Sequence, residues 1–251
     1  MTRTANHVRV TVLGSGDAFG SGGRLQSSYL VEGRSATFLM DCGTTVLSSL
    51  KGRGMDTGRI DFVLVSHLHG DHFGGLAFLL LEYLYENPRQ RPLVVAGPAG
   101  LAERVRTVFA GLYKEAAACA LPFDLEFREL VPGRDEVING VAVHPFRVPH
   151  QTTCVSLGLR VGVDGRQVLY SGDSAWSEEF VRESQNTDLF LCECFLLETR
   201  VEYHMNYRDL ARHVPRLGCK RLLLTHLGRE FLEGRTEATI ECADDGTVVL
   251  L

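Results

Sequence analysis

Residues 66–75 read Ser-His-Leu-His-Gly-Asp-His-Phe-Gly-Gly, and this short stretch contains four side chains of types that bind metals. The four are His67, His69, Asp71 and His72. They follow an apolar run at 62–65 that has the composition of a buried strand, and they precede a helical pattern at 73–85. Four such side chains within six positions, directly after a buried strand, predict a metal site.

The spacing within this stretch predicts two ligand pairs. His67 and His69 are two positions apart, so an extended backbone directs both imidazoles to the same side. Asp71 and His72 fall at the start of the following helix, where side chains can turn back toward the end of the strand. Each residue alone has a simpler interpretation, as a helix cap or as a hydrogen-bonded core histidine. Two adjacent pairs together are what a site with two metal ions about 3.5–4 Å apart requires.

Three more candidate ligands stand just past apolar runs elsewhere in the chain, where loops carry functional side chains on a rigid scaffold. They are His150, Asp173 and His226, which follow the runs 141–149, 168–172 and 222–225. A carboxylate such as Asp173 is able to bridge two cations by placing negative charge between them. The chain therefore offers enough ligands for two metals.

The composition is that of a globular protein of 251 residues, with 45% hydrophobic and 23% charged residues. No linker-like stretch divides this length, so a single domain over residues 1–251 is expected. The apolar stretches are far shorter than the roughly 20 residues of a membrane span. The polar segment 2–6 leads into a strand-like run without the apolar region of a signal peptide, and a cytoplasmic location is therefore expected.

The formal net charge of −5, with histidine neutral, argues against binding of extended nucleic acid, which usually requires a basic stripe. The seven cysteines are odd in number, so free thiols in a reducing compartment are expected. Cys192 and Cys194 share one face of a predicted strand. No second cysteine pair stands near them in the sequence, so they do not indicate a structural zinc site, and we assign them no role.

Strand-like runs rich in Val, Leu and Phe occur in clusters before helical patterns, which favours a mixed α/β layered fold over a doubly wound one. The Gly-rich residues 14–20 match no nucleotide-binding glycine pattern and precede another strand, so they predict a hairpin-like loop. Asn206 is a candidate N-cap of a helical pattern, and Pro215 predicts that this helix kinks or ends early. The predicted strands are 8–13, 29–31, 37–40, 62–65, 93–96, 125–130, 141–148, 155–161, 168–171, 189–192, 222–225 and 247–250.

In these motifs and in their order, the sequence resembles the metallo-β-lactamase superfamily. The matching stretches span about residues 8–227 and are 38–43, 67–72, 149–150, 170–174 and 224–226. The resemblance implies a four-layer αββα sandwich with a metal site at one edge, between the two sheets. The ligands that it implies are His67, His69 and His150 on one metal, Asp71, His72 and His226 on the other, and Asp173 between them. It also implies that Asp41 orients a ligand loop, while an aspartate before glycine is equally typical of a turn.

Within the superfamily, the chain is most similar to the ribonuclease Z-like phosphodiesterases. The stretches that carry this similarity are 10–16, 27–30, 97–101 and 192–195. In those enzymes, a glutamate and a histidine at the places of Glu193 and His204 form a pair that helps the leaving oxygen to depart. The neighbouring residues differ, because Cys-Glu-Cys-Phe stands here where the family usually has His-Glu-Ala-Thr.

A second difference concerns the substrate. Ribonuclease Z carries a long Gly- and Pro-rich arm that clamps transfer RNA, between the helix after the metal motif and the third metal-ligand motif. Residues 101–147 are compact here, a helix followed by strand patterns without such an insertion. Together with the acidic net charge, this favours a small-molecule or short nucleotide phosphodiester, or an RNA end, over transfer RNA.

The resemblance therefore implies a metal-dependent hydrolase, in particular a dinuclear phosphodiesterase. Its cofactors would be two divalent ions, with Zn²⁺ expected and Mn²⁺ or Fe²⁺ compatible with the same donors. Asp71 would orient the attacking water and accept its proton, and His204, held by Glu193, would assist the departing oxygen. Two alternatives stay open: a hydrolase of lactones, thioesters or other carboxylic esters, and a non-catalytic metal-binding accessory protein. The oligomeric state is open too, with a homodimer among the expectations.

Overall fold

The computed structural model describes residues 7–251, and the polar segment 2–6 considered above lies outside the described residues. Two β-sheets pack face to face in it. In spatial order, the strands of the first sheet are β13 (Val248–Leu250), β1 (Arg9–Gly14), β2 (Ser28–Glu32), β3 (Thr37–Cys42), β4 (Phe62–Leu64), β5 (Leu93–Gly97) and β6 (Leu125–Glu129). Those of the second sheet are β12 (Leu222–Thr225), β11 (Leu189–Glu193), β10 (Arg166–Tyr170), β9 (Leu157–Val163), β8 (Val141–Arg147) and β7 (Glu136–Ile138).

Helices cover the outer face of each sheet. Those on the first sheet are α1 (Val46–Gly52), α2 (Gly70–Phe73), α3 (Gly75–Tyr85), α4 (Leu101–Leu112) and α5 (Lys114–Ala117). Those on the second sheet are α6 (Glu179–Glu183), α7 (Tyr207–His213) and α8 (Arg229–Glu233). Four short 3₁₀ turns lie at Ser21–Gly23, Thr57–Arg59, Val214–Arg216 and Arg235–Glu237. In the part of the chain that the structure describes, no helix has the length and apolar character needed to cross a bilayer.

The alternation of side chains along the strands produces the layers. Phe38 and Met40 of β3 lie in the core between the two sheets, whereas Leu39 packs against the helices of the first sheet. In the same way, Tyr170 of β10 faces the inter-sheet core, and Leu169 packs against the helices of the second sheet. Three apolar cores thus separate four layers, which confirms the predicted αββα sandwich.

The strand directions bring one end of each sheet to a common edge. Strands β3, β4, β5 and β6 run parallel, as do β10, β11 and β12. At this edge the sheets are joined by a backbone hydrogen bond of 2.9 Å from the Leu157 nitrogen to the Ser66 carbonyl. Loops that follow parallel strands are where open α/β sheets usually place their ligands.

All twelve predicted strands are present, and the structure adds one that the sequence interpretation missed. The additional strand is β7, a short edge strand in which Val137 is 64% exposed. It pairs with β8 through a two-residue turn of Asn139 and Gly140, whose φ angles are 49° and 82°. Asn-Gly between two strands is a strong hairpin signal, and it was the cue to this strand.

The helix predicted at 73–85 is in fact two helices, and the first begins earlier, at Gly70. The break occurs at Gly74, and the following Gly75 passes very close to the loop after β3. A Cβ at Gly75 would lie 2.1 Å from the Gly43 carbonyl oxygen, so only glycine allows this approach. The close contact presses the metal-motif helix against the end of β3.

Two other local predictions are confirmed. Residues 15–27 form the loop between the antiparallel strands β1 and β2, as predicted for the Gly-rich segment. The Asn206 side chain caps α7 by accepting a hydrogen bond of 2.9 Å from the Asp209 backbone nitrogen. The helix ends at His213, and Pro215 lies in the 3₁₀ turn that follows.

Candidate metal centre

The seven candidate ligands converge at the common edge of the two sheets. The segment between β4 and α3, which contains α2, supplies four of them, and the loops after β8, β10 and β12 of the second sheet supply the other three. They form two groups, His67 with His69, His150 and Asp173, and Asp71 with His72, Asp173 and His226. Within each group the donor atoms lie within 4.8 Å of one another. Asp173 belongs to both groups.

In the first group, three imidazole nitrogens point at one another. The Nδ1 atom of His69 lies 3.1 Å from His67 Nε2 and 3.0 Å from His150 Nε2. The other ring nitrogens of His67 and His150 are engaged, because His67 Nδ1 lies 3.0 Å from the Ser66 hydroxyl and His150 Nδ1 lies 3.0 Å from the Tyr203 carbonyl. A carbonyl only accepts, so His150 carries its proton on Nδ1 and keeps its Nε2 lone pair for a metal.

In the second group, the Asp173 carboxylate lies between two imidazoles. Its Oδ1 is 3.2 Å from His72 Nε2, and its Oδ2 is 3.2 Å from His226 Nε2. The Asp71 carboxylate completes this group at 3.3 Å from His72 Nε2. His226 is fixed through its Nδ1, which lies 3.0 Å from the Ser27 hydroxyl. Ser27 lies in the stretch 27–30 that carries the similarity to the ribonuclease Z-like enzymes, but only the structure shows that it positions His226.

Asp41 forms hydrogen bonds that orient candidate ligands of both groups. Its carboxylate accepts hydrogen bonds of 2.7 Å from His72 Nδ1, from the Ser66 backbone nitrogen and from the Ser66 hydroxyl. The Ser66 hydroxyl in turn contacts His67. The Asp41 backbone has a φ of 56°, a left-handed conformation that residues other than glycine seldom adopt. Its local strain is offset by this dense set of bonds.

Two buried tyrosines cross between the sheets beside the ligands. Tyr170 of the second sheet donates a hydrogen bond of 2.7 Å to the Asp41 carboxylate of the first. Tyr29 of the first sheet lies 2.8 Å from the hydroxyl of Thr225, the residue before His226 in the second. The two rings contact each other, with centroids 5.0 Å apart. This crossed pair connects the sheet ends that carry the candidate ligands of the two sheets.

The donor set fits divalent cations. His72 Nε2 and Asp173 Oδ1 are buried and have no hydrogen-bond partner, although they face each other. Such unpaired polar atoms are rare in protein interiors and are explained where a cation lies between them. Burial alone would lower the pKa of His72, but the carboxylates of Asp173, Asp71 and Asp41 raise it well above its usual value. This part of the site therefore favours positive charge.

The remaining imidazoles are prepared to act as neutral ligands. Burial lowers the pKa of His67 well below its usual value and that of His150 to about 4. It also lowers the pKa of His69 and of His226. Neutral imidazole, which these shifts favour at pH 7, is the form that coordinates metals.

The structure brings Glu193 and His204 together beside the second group. Glu193 is fully buried at the end of β11, and its carboxylate contacts His204 Nδ1 while accepting a bond of 2.5 Å from the Ser174 backbone nitrogen. Burial alone would lower the pKa of His204, but the Glu193 carboxylate raises it above its usual value. These two residues, with Asp173 and His226, bring their donor atoms within 4.8 Å of one another. Glu193 and His204 satisfy each other, which distinguishes them from the unpaired ligand atoms.

A groove of about 380 Å³ opens beside His69, His150 and His204. Its other lining residues are Gln151, Thr152, Thr153, Val201, Glu202 and Tyr203. Among these described lining residues none is a lysine or arginine, and Glu202 adds negative charge. A larger cavity of about 610 Å³ between α1 and strands β2 and β3 contains no histidine in its lining and lies away from the ligands. Converging ligands, rather than cavity size, identify the site.

Comparisons with known proteins agree with this geometry. A family model described as anti-Pycsar protein Apyc1 matches residues 8–243. Ribonuclease Z of Lachnoclostridium phytofermentans is 25% identical in an alignment that covers 86% of each chain. The crystal structure of human tRNase Z, short form, has a TM-score of 0.78 at 25% identity, and it covers 96% of this chain and 98% of that chain. The metallo-beta-lactamase fold protein YhfI from Bacillus subtilis has a TM-score of 0.76 at 24% identity, covering 96% and 99% of the two chains.

These relatives confirm the resemblance to the metallo-β-lactamase superfamily and to ribonuclease Z. The chain is accordingly a metal-dependent hydrolase of this fold. The family model spans almost all of the residues that the structure describes, from the start of β1 to the loop before β13. The chain therefore belongs to the family of the anti-Pycsar protein Apyc1.

Proposed function

We propose that the protein is a phosphodiesterase that cleaves small diesters containing one phosphate. The observation that carries this proposal is the Glu193–His204 pair beside the two ligand groups. Cleavage of a phosphodiester expels an alkoxide, which departs readily only when a group nearby donates a proton to it. A thioester expels a thiolate, which departs without a proton, so its hydrolysis would use the same metal ligands but would not need this pair.

The proposed cofactors are two divalent ions. The first would be held by His67, His69 and His150, the second by Asp71, His72 and His226, with Asp173 shared. When bound, such ions lower the pKa of water and offset the charge of phosphate oxygens. Zn²⁺ suits this set of imidazoles and carboxylates, and Mn²⁺ and Fe²⁺ are compatible with it.

The chain's own residues would manage the protons. In the overall reaction, the oxygen of water bonds to phosphorus and the bond from phosphorus to the departing oxygen breaks, yielding a monoester and an alcohol. Asp71 orients the attacking water and accepts its proton. His204, whose Nδ1 is held by Glu193, donates a proton from Nε2 to the departing oxygen. The proton taken from water replaces the one given to the alcohol.

Three observations support a small substrate. The groove at the site measures about 380 Å³, and the described residues that line it include no lysine or arginine for additional phosphates. The residues between α4 and β8 form short elements without a protruding arm. The net charge of −5 opposes binding of a long polyanion.

The seven cysteines, which are all free thiols, support a reducing compartment such as the cytoplasm.

The first experiment is a substrate panel on protein whose metal content has been measured. The panel contains bis(p-nitrophenyl) phosphate, a cyclic mononucleotide, a short RNA, a precursor transfer RNA, a lactone and a thioester. We expect turnover of the small diesters and much slower cleavage of the transfer RNA. Turnover confined to the lactone or thioester would contradict the phosphodiesterase assignment, and a fully metallated protein inactive on the entire panel would favour the accessory-protein alternative.

The second experiment replaces the proposed proton donor. His204→Ala is expected to keep its metal and lose about 10²- to 10⁴-fold in turnover of diesters with alkyl leaving groups. The loss should be smaller with p-nitrophenolate, which needs little protonation, and Glu193→Gln should follow the same trend with a smaller loss. Equal losses for good and poor leaving groups would show that His204 binds substrate without donating a proton.

A further inference from the structure

Phe195 is an aromatic side chain at the proposed site that the mechanism above does not use. The segment around it is buried, with Glu193 and Cys194 fully buried and Leu196 only 9% exposed, but Phe195 itself is partly exposed. Its ring centroid lies 4.9 Å from that of His204 and 6.1 Å from that of His226. The Phe195 ring therefore lies beside both His204, the proposed proton donor, and the imidazole of the candidate ligand His226.

The position of this ring is tightly constrained. The Phe195 carbonyl accepts a hydrogen bond of 3.0 Å from the Gly228 nitrogen, and the residues on either side are bound to Thr225 and Met205 through their backbone nitrogens. A Cβ at Gly228 would lie 2.6 Å from two ring carbons of Phe195. The Phe195 ring consequently packs directly against the backbone of Gly228. The aromatic surface is therefore already in place before a substrate binds.

We propose that Phe195 determines specificity by forming the apolar wall against which the group on the departing oxygen packs. The inference rests on the proposed function, because it uses His204 to locate that oxygen. The described residues that line the groove include no lysine or arginine to bind a second phosphate, so contacts with the organic group are what is left to distinguish one diester from another. A fixed phenyl ring favours a planar partner through stacking. The site should therefore prefer diesters whose departing oxygen carries an aryl or nucleoside group.

The test uses two methyl diesters whose leaving groups are of closely similar acidity, one phenyl and one hexafluoroisopropyl. With wild-type protein, the phenyl diester should have the higher kcat/KM. In Phe195→Leu, kcat/KM should fall about tenfold for the phenyl diester, mainly through KM, and less than about twofold for the fluoroalkyl diester. Equal losses in kcat for both substrates would overturn the inference and show that Phe195 only positions His204.

Two variants guard against indirect effects. Phe195→Tyr keeps the aromatic face and should keep the preference for the phenyl diester. Tyr85→Leu removes an exposed aromatic side chain at the end of α3 and should leave the ratio unchanged. Metal content and thermal midpoints of all variants are measured alongside. If the wild-type protein cleaves neither diester, the proposed function is refuted, and this inference with it. If it cleaves both with the same kcat/KM, only the inference is refuted.

Discussion

At the scale of single residues, Asp173 is the side chain on which both ligand groups depend. Its Oδ1 lies 3.2 Å from His72 Nε2, and its Oδ2 lies 3.2 Å from His226 Nε2 and 3.8 Å from His67 Nε2. Gly172 before it has a φ of 59°, a conformation that turns the chain sharply at the end of β10. No other candidate ligand belongs to both groups.

This difference among ligands predicts different metal contents. Wild-type protein is expected to hold about two divalent ions per chain. His69→Ala should retain about one, because it damages the first group alone, and Asp173→Ala should retain fewer than one. The contents are measured by elemental analysis after dialysis, with His144→Ala as a control because His144 pairs with Asp135 on the surface. Full occupancy and normal activity in Asp173→Ala would refute its bridging role.

At the scale of elements, the crossed tyrosines connect the strands that carry the ligands. Tyr170 lies on β10, three residues before Asp173, and bonds to Asp41 at the end of β3. Tyr29 lies on β2 and contacts Thr225 at the end of β12. Both hydroxyls are buried, so they hold the sheet ends in a defined register without competition from water. Each tyrosine therefore stabilises the ligand-bearing end of a strand in the opposite sheet.

We expect Tyr170→Phe to weaken metal binding as well as folding. Loss of the hydroxyl removes one of the bonds that orient Asp41, and with it His72, so metal affinity should fall about 10- to 100-fold. The free energy of unfolding of the metal-free protein should fall by about 1–2 kcal/mol. Isothermal titration with Zn²⁺ and urea denaturation measure the two effects.

Tyr83→Phe is the matched control for this variant. Tyr83 is also buried and donates a hydrogen bond of 2.7 Å, but to the Thr57 carbonyl under α3, away from the ligands. It should lose a similar amount of stability and keep its metal affinity. Equal falls in metal affinity in both variants would mean that Tyr170 acts only through general stability.

At the scale of the whole molecule, the proposed metal site joins the two halves of the sandwich. His67, His69, Asp71 and His72 come from the first sheet, and the remaining three ligands come from the second. An ion with ligands in both sheets binds only when the sheets are packed together. Binding to the native state alone raises the free energy of unfolding by mass action.

Removal of metal should therefore destabilise the entire fold. Metal at about 100 times its Kd contributes about 2.7 kcal/mol, which corresponds to about 5–10 °C in the thermal midpoint for a chain of this size. We expect a chelator to lower the midpoint of the wild-type protein by about that amount and to restore it when metal is added back. The shift should be much smaller in Asp173→Ala. A midpoint indifferent to chelator would contradict a site shared between the sheets.

The layered fold and the identities of the candidate ligands could be read from local patterns. The motif at 66–75 is compact in sequence, and most strands are predicted by the composition of their own residues. Each of these predictions therefore needs only one segment of the chain. The missed edge strand Glu136–Ile138 shows where prediction from local composition fails. It buries little apolar surface, since Val137 is exposed, and its pairing depends on the turn and on the partner strand.

The sequence by itself determined which side chains were available to bind metal, because metal chemistry selects residue types and because they follow buried strands. The resemblance implied which of them meet, but only the tertiary structure decided what surrounds them. The bond from Tyr170 to Asp41 and the contact of Phe195 with His204 join segments on different strands or loops. Such contacts depend on how the sheets pack and on their register, which are properties of all the strands together and of no single segment.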